Sequence, residues 1–543
     1  MSGRETKVND DKETYTMKDF YNPLIGMDYP DPDLIRVGDT WYMISTTMHF
    51  MPGGEILRSY NLTDWERVGY VFDDLDHTPA QCMENGENIY GQGMWAASLR
   101  YHNGIFYVCF VANDTHRTYL YQSENIEGPW KKQYIEGFYH DCSLLFDDDR
   151  VYIVYGNTQI YITELTADLS SPKPGGLHRK IIEDTGNVRL GYEGAHAYKI
   201  NGKYYVFLIH WPNGGAGRRT EACFVSNSLE SEFIGRDILD DDRGCFNCGV
   251  AQGGIVDTPE GEWYAFLFQD SGAAGRIPIL VPVDFTHGFP EFGSNGEIVE
   301  PILLRDRKPE YVYEPLTAND KFQYKKEGGK ISIHKAWQWN HVPDYRLVDC
   351  DENGGLKLTA GSLCQDLCEA RNTLTQRMIW PGCRASVVID GSDLNNGDYA
   401  GICALQGCYG MIAITREADQ YYLVMRAGSP ADDSRYPVIQ KGENLEEHER
   451  VKMDCPIAHL ELSADFSDMK DIVVFRYWSH GEWKRLGSVH KLYFKLDHFT
   501  GCRVGLFCYA SEQTGGTAVF HDFTLQNCNY SEPALLKDEI RVT

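Results

Sequence analysis

Residues 193–210 read EGAHAYKINGKYYVFLIH, and this stretch decides the fold. Apolar and polar positions alternate on both sides of Asn201-Gly202, a dipeptide that favours the positive φ angles of a tight turn, so the segment reads as a β-hairpin. The same pattern of apolar strand, Gly or Asp turn, aromatic pair or its equivalent, and second apolar strand occurs four more times. The other copies are DPDLIRVGDTWYMISTT (31–47), AASLRYHNGIFYVCFVAND (96–114), DCSLLFDDDRVYIVYGN (141–157) and QGGIVDTPEGEWYAFLFQD (252–270). Their starts are roughly 45–65 residues apart, the length a four-stranded propeller blade needs. The chain is therefore expected to be all-β, with a five-bladed β-propeller over 21–305 preceded by an N-terminal extension, 1–20. A charged, proline-bearing seam over 306–318 then breaks the repeat. Alternating segments such as CRASVVID, YGMIAITRE and RVGLFCYA follow it with no helix-length period, which predicts a β-sandwich over 319–543.

The repeats also place acidic residues. Counting back from the aromatic pair, or from Val151 in the third unit, Asp31, Asp141, Glu193 and Gln252 fall at matching offsets, and Ala96, beside Trp95, takes that place in the second unit. The first strand of each propeller blade lines the central axis, so matching positions at its start converge on one end of that axis. Three carboxyl groups gathered there repel one another and raise at least one pKa, which is what a general acid needs near neutral pH. Glycoside hydrolysis calls for such a set, one acid to protonate the leaving oxygen and another to activate water or attack.

Composition narrows the partners. A formal charge of −28 argues against nucleic acid and anionic membranes. No run of about 18 apolar residues is present, and the opening MSGRETKVNDDKETYTMKDF lacks the apolar core of a signal peptide, so a cytoplasmic protein with its 16 cysteines reduced is expected. Cys245 and Cys248 have metal-ligand spacing without a second pair, and no metal site is read there. The 34 Tyr, 24 Phe and 11 Trp suit a protein that grips flat sugar rings, although strands favour aromatics in any case.

The run NPLIGMDYPDPDLIRVGDTWYMISTT (22–47) resembles the opening of glycoside hydrolase family 43. GMWAASLRYHNG, FYHDCSLLFDDD, YEGAHAYKINGKYY and AQGGIVDTPEGEWYAFLFQDSGAAGRIPIL are similar to that family's later blades, in order. WQWNHVPD, EARNTLTQRM and DYAGICALQ resemble the concanavalin-like sandwich of its β-xylosidase-type members. The resemblance implies Asp31 as general base, Glu193 as general acid and Asp141 as the residue that tunes and orients the acid. It implies Arg276 as a substrate-binding arginine near the base. Trp95, His49, Phe50, His196 and Gln252 are expected to line or adjoin the sugar pocket. Many members carry a histidine where this chain has Gln252, and no catalytic metal or cofactor is expected. The resemblance leaves room for a structural calcium in the sandwich and for a homo-oligomer. The activity it implies is inverting, exo-acting release of terminal β-1,4-linked xylose from xylo-oligosaccharides. The alternatives are an α-L-arabinofuranosidase, alone or as a dual activity on arabinoxylan fragments, and a propeller that binds glycans without cleaving them.

Overall fold

A computed structural model describes residues 5–10, 13–286, 288–351, 354–428 and 445–528. Residues 1–4 and 529–543, the outer ends of the expected extension and sandwich, lie outside the described residues. The five hairpins become the inner halves of five antiparallel sheets. The first is Asp33–Val37, Thr40–Ser45, Gly53–Ser59 and Glu66–Phe72, in that spatial order. The second runs from Met94–His102 to Lys131–Ile135, the third from Ser143–Asp147 to His178–Glu183, and the fourth from Val188–Ile200 to Ile234–Leu239. In the fifth, Val250–Ala251 and Ile255–Asp257 both pair with Trp263–Asp270, followed by Arg276–Asp284 and Glu291–Phe292.

Period-2 alternation supplies apolar side chains to both faces of each sheet, and neighbouring blades bury them against one another. Ile44, Ile56, Val71, Phe110 and Tyr121 fill the space between the first two blades. Trp41, Leu57, Phe266 and Leu280 do the same where the last blade meets the first. That closure is also polar: Arg36 Nε donates to Asp257 Oδ1 at 2.9 Å, and Gly254 N donates to Pro32 O at 2.8 Å. On the axis the wholly buried Asp33 accepts from Leu99 N at 2.7 Å, Arg100 Nη1 at 2.6 Å and His196 Nδ1 at 3.0 Å, which ties three blades together. Burial alone would raise the Asp33 pKa, but Arg100 and His196 outweigh it and hold the carboxyl below its usual range.

Two elements depart from the sequence expectation. The stretch read as an N-terminal extension forms strands Glu5–Asp10 and Glu13–Phe20, and the second pairs with Ile302–Asp306, so the chain just before the seam is part of the same small sheet. The propeller and sandwich also share a sheet. Phe50–Met51, from the loop between two strands of the first blade, pairs with Gln338–Asn340 and becomes the edge of an eight-stranded sheet of the sandwich. That sheet faces a seven-stranded one across a core that includes Leu358, Val387, Ile402, Leu462, Phe475 and Leu506.

The junction is held by buried polar contacts. Arg377 of the sandwich pairs with Glu55 of the first blade, which also accepts from Arg67 Nε at 2.6 Å. Arg377 Nε donates to Asp28 O at 2.7 Å, and Gly501 N donates to Asp28 Oδ2 at 2.8 Å. Among the described residues no helix is long and apolar enough to cross a membrane.

Candidate active site

One cavity of about 410 Å³ opens at the end of the propeller where the first strands of the blades begin. Asp31, Trp95, Asp141, Glu193 and Gln252, one from each blade, all line it, together with Arg276. The backbone at these positions is unusual. Asp31, Asp141 and Gln252 have φ of 53°, 45° and 58°, in the left-handed region that aspartate tolerates and glutamine rarely visits. The turned backbone brings each side chain over the mouth of the axis, and such conformations persist where the surrounding structure enforces them.

Asp31 is almost fully buried, and both its oxygens are engaged. Thr46 Oγ1 donates to Oδ2 at 2.7 Å, and Arg276 Nη1 donates to Oδ1 at 2.9 Å. The Arg276 guanidinium is in turn sandwiched between Phe268 and Phe499, whose ring centroids lie 4.5 and 4.3 Å from its central carbon. Glu193 is the more accessible carboxyl, its side chain 19 % exposed against 4 % for Asp31. Its Oε2 accepts from Asn157 Nδ2 and lies 3.5 Å from His140 Nε2.

The same His140 nitrogen lies 3.6 Å from Asp141 Oδ2. Burial raises the Asp141 pKa; His140 and Arg276 oppose the rise, while Glu193 and Asp31 add to it, leaving the carboxyl at about 6. Asp141 in turn, against the opposing effect of burial and with help from Glu193, pushes the His140 imidazole up to about 9. One side-chain donor atom from each of His140, Asp141 and Glu193 lies within 4.8 Å of the other two, close enough for the three to hold a cation. An imidazolium at His140 would offset part of the charge of these carboxyl groups.

Three of the expected pocket residues are elsewhere. His49 and Phe50 do not line the cavity: the chain at 50–51 turns away to join the sandwich sheet, burying His49 completely and placing Phe50 under the guanidinium of Arg503. His196 is not on the wall either. The strand register shifts between Glu193 and His196, and this irregularity leaves His196 pointing down the axis to Asp33.

The wall contains groups that the repeat pattern did not single out: His140, Asn157, Leu190, Arg219, and Leu496 and Phe499 of the sandwich. His140 adjoins Asp141, and adjacency in FYHD was the one local signal for it. Asn157 ends the second strand of its hairpin, where the pattern was not being read for polar residues. Nothing in the propeller repeat could point to Phe499. Its ring lies 5.7 Å from Trp95, which is itself 5.6 Å from His140, so the two domains build one aromatic side of the cavity.

Comparison with known proteins agrees with this architecture. The profile described as "Glycosyl hydrolases family 43" matches residues 20–290, and the "Beta xylosidase C-terminal Concanavalin A-like domain" matches 330–526. A β-xylosidase of Formosa agariphila is 27% identical over 556 residues, covering 92% of this chain and 88% of its own. A non-reducing end α-L-arabinofuranosidase of Bacteroides ovatus is 26% identical over 351 residues, covering 60% and 64%. The solved structure of a bifunctional GH43-CE protein of Bacteroides eggerthii superposes with a TM-score of 0.85 at 38% identity, over 94% of this chain and 64% of that one. With both domains matched and the carboxyl groups gathered at one end of the propeller axis, the chain belongs to family 43 of the glycosyl hydrolases.

Proposed function

We propose that this glycoside hydrolase is an exo-acting β-xylosidase that removes terminal β-1,4-linked xylose from short xylo-oligosaccharides with inversion at the anomeric carbon. The observation that carries the reading is the cavity of about 410 Å³ lined by the three carboxyl groups and by Leu496 and Phe499 of the sandwich. A small walled pocket suits a terminal sugar and its neighbour; an open cleft would suit mid-chain cleavage. Asp31, its oxygens fixed by Thr46 and Arg276, is the general base that takes a proton from the attacking water. Glu193, nearest the mouth, is the general acid that protonates the departing oxygen, and Asp141 tunes and orients it. Arg276 and Gln252 bind sugar hydroxyls, and Trp95 and Phe499 offer apolar surface to the ring. In this reading the chemistry uses protein groups alone.

The similarity to an α-L-arabinofuranosidase keeps one second reading, arabinofuranoside cleavage by the same residues. A proton NMR time course of xylobiose hydrolysis tests both. Early release of α-xylose is expected, early β-xylose would overturn inversion, and turnover of arabinofuranosides alone would transfer the assignment to the second reading. Glu193→Gln is expected to abolish turnover of xylobiose while costing far less with aryl xylosides, whose leaving groups need little protonation. Equal losses on both would remove Glu193 from the acid role.

A further inference from the structure

The turn beside Glu193 is strained, and the strain has a visible product. Thr158 has φ of 63°, a conformation that is a genuine outlier for a β-branched residue. It sits between strands Arg150–Asn157 and Gln159–Glu164, a connection with no residues to spare. Gly156, at φ of 134°, permits it, since a Cβ there would lie 2.1 Å from Gln159 O. The turn is pinned to the strand that carries Glu193. Thr158 N donates to Tyr192 O at 2.8 Å, and Asp184 N donates to Thr158 O at 2.9 Å. Gly191 leaves the space in which Thr158 fits; a Cβ on Gly191 would lie 2.3 Å from Thr158 Oγ1. Held this way, the neighbouring Asn157 turns its amide onto Glu193 Oε2, while Thr158 Oγ1 donates to Asn157 Oδ1 at 3.0 Å. Backbone strain of this kind persists where the surroundings enforce it, and it clusters at functional positions.

We propose that Asn157 is a positioning residue for the acid–base step, holding Glu193 Oε2 so that Oε1 is the oxygen that carries the proton to the departing group. The inference rests on the acid role given to Glu193 above. An amide N–H suits the task because it donates to a carboxylate oxygen and, more weakly, to the carbonyl oxygen of a neutral acid, so the contact survives the whole proton cycle while favouring the ionised form. The reverse amide orientation would draw the acid's proton onto Asn157 Oδ1 and away from the substrate. The charged groups around Glu193 are His140 on Oε2, Asp141 beside it, Arg219 on the cavity wall, and Asp31 with Arg276 across the cavity. None of these can replace a neutral donor without also changing charge.

The test compares wild type, Asn157→Ala and Asn157→Asp on xylobiose and on an aryl xyloside with a good leaving group, with full pH profiles and the unfolding temperature of each protein. Asn157→Ala is expected to lower kcat on xylobiose on the order of 10- to 100-fold with KM little changed, and to lose far less on the aryl xyloside. Its basic limb, where the acid loses its proton, is expected to move to higher pH, because a donor to the ionised form has gone. Asn157→Asp, which keeps the shape and replaces the donor by a negative charge, is expected to move that limb further. Equal losses on both substrates, or a basic limb that stays in place in both variants, would overturn the positioning role and leave the glycosidase reading intact. A wild type that cleaves neither substrate would overturn both.

Discussion

Three histidines buried where the propeller meets the sandwich should make this enzyme acid-sensitive, and the effect of one can be isolated. His49 comes from the propeller, and His341 and His498 come from the sandwich; all three rings are enclosed. His341 Nε2 accepts from Ile89 N at 2.9 Å, which fixes its proton on Nδ1, 3.0 Å from Asn340 Oδ1. Neither nitrogen of His49 has a hydrogen-bond partner among the described residues, nor does Nδ1 of His498. Burial, against a weaker opposing pull from Asp497, depresses the His498 pKa from 6.5 to about 4, and burial takes His49 and His341 well below their usual value. At these three sites the folded protein therefore binds fewer protons than the unfolded chain, and the stability they contribute above about pH 6.5 is lost as pH falls toward 4. At pH 5.5 an unfolded histidine is about nine-tenths protonated while His498 stays neutral, a loss of about 1.3 kcal/mol relative to pH 7.5. Buried acids such as Asp141 and Asp398, both pushed up to about 6, work in the opposite direction, so the wild-type curve alone cannot isolate the histidine. His498→Phe keeps a flat ring on Tyr90, where the present stack is 3.9 Å between centroids at 6°, and removes the titration together with a pH-independent contact of Nε2 with Cys368 Sγ at 4.0 Å. Urea unfolding followed by tryptophan fluorescence at pH 7.5, 6.5 and 5.5 should show the variant losing about 1.3 kcal/mol less than wild type over that range. Parallel curves, offset by a constant packing cost, would refute the reasoning.

Two other expectations concern the same junction. Phe499→Ala strips a ring from Arg276 and Trp95, and kcat/KM is expected to fall roughly tenfold with the unfolding temperature nearly unchanged; unaltered steady-state kinetics would detach the sandwich from catalysis. Arg377→Met leaves Glu55, fully buried, with Arg67 as its remaining cationic partner, and is expected to cost about 3–5 kcal/mol in urea unfolding. Adding Glu55→Gln should restore part of that loss, and a double variant no more stable than the single would show that charge pairing is not the cause.

What could be read in the sequence was whatever repeats. A hairpin is local, so its turn and alternation are visible in about 18 residues, and five copies at blade spacing gave the propeller. The offsets within the copies placed Asp31, Asp141, Glu193 and Gln252 together, and these four do share a cavity. Aperiodic features were invisible to that argument. The register shift between Glu193 and His196 redirects one side chain from the pocket to Asp33, and no spacing rule anticipates an irregularity of that kind. The strand Phe50–Met51 was hidden because its partner, Gln338–Asn340, lies almost 300 residues away, and this pairing withdrew His49 and Phe50 from the wall. Phe499 was out of reach for the same reason. The division has a consequence for function. The carboxyl groups come from the periodic part of the chain, common to every blade. The groups that press on them and shape their pocket, namely Asn157 at a strand end beside a strained turn, Arg219, Leu496 and Phe499, come from strand ends, loops and the second domain. Substitutions at these aperiodic positions should therefore move substrate preference and pH profile while the three carboxyl groups stay in place.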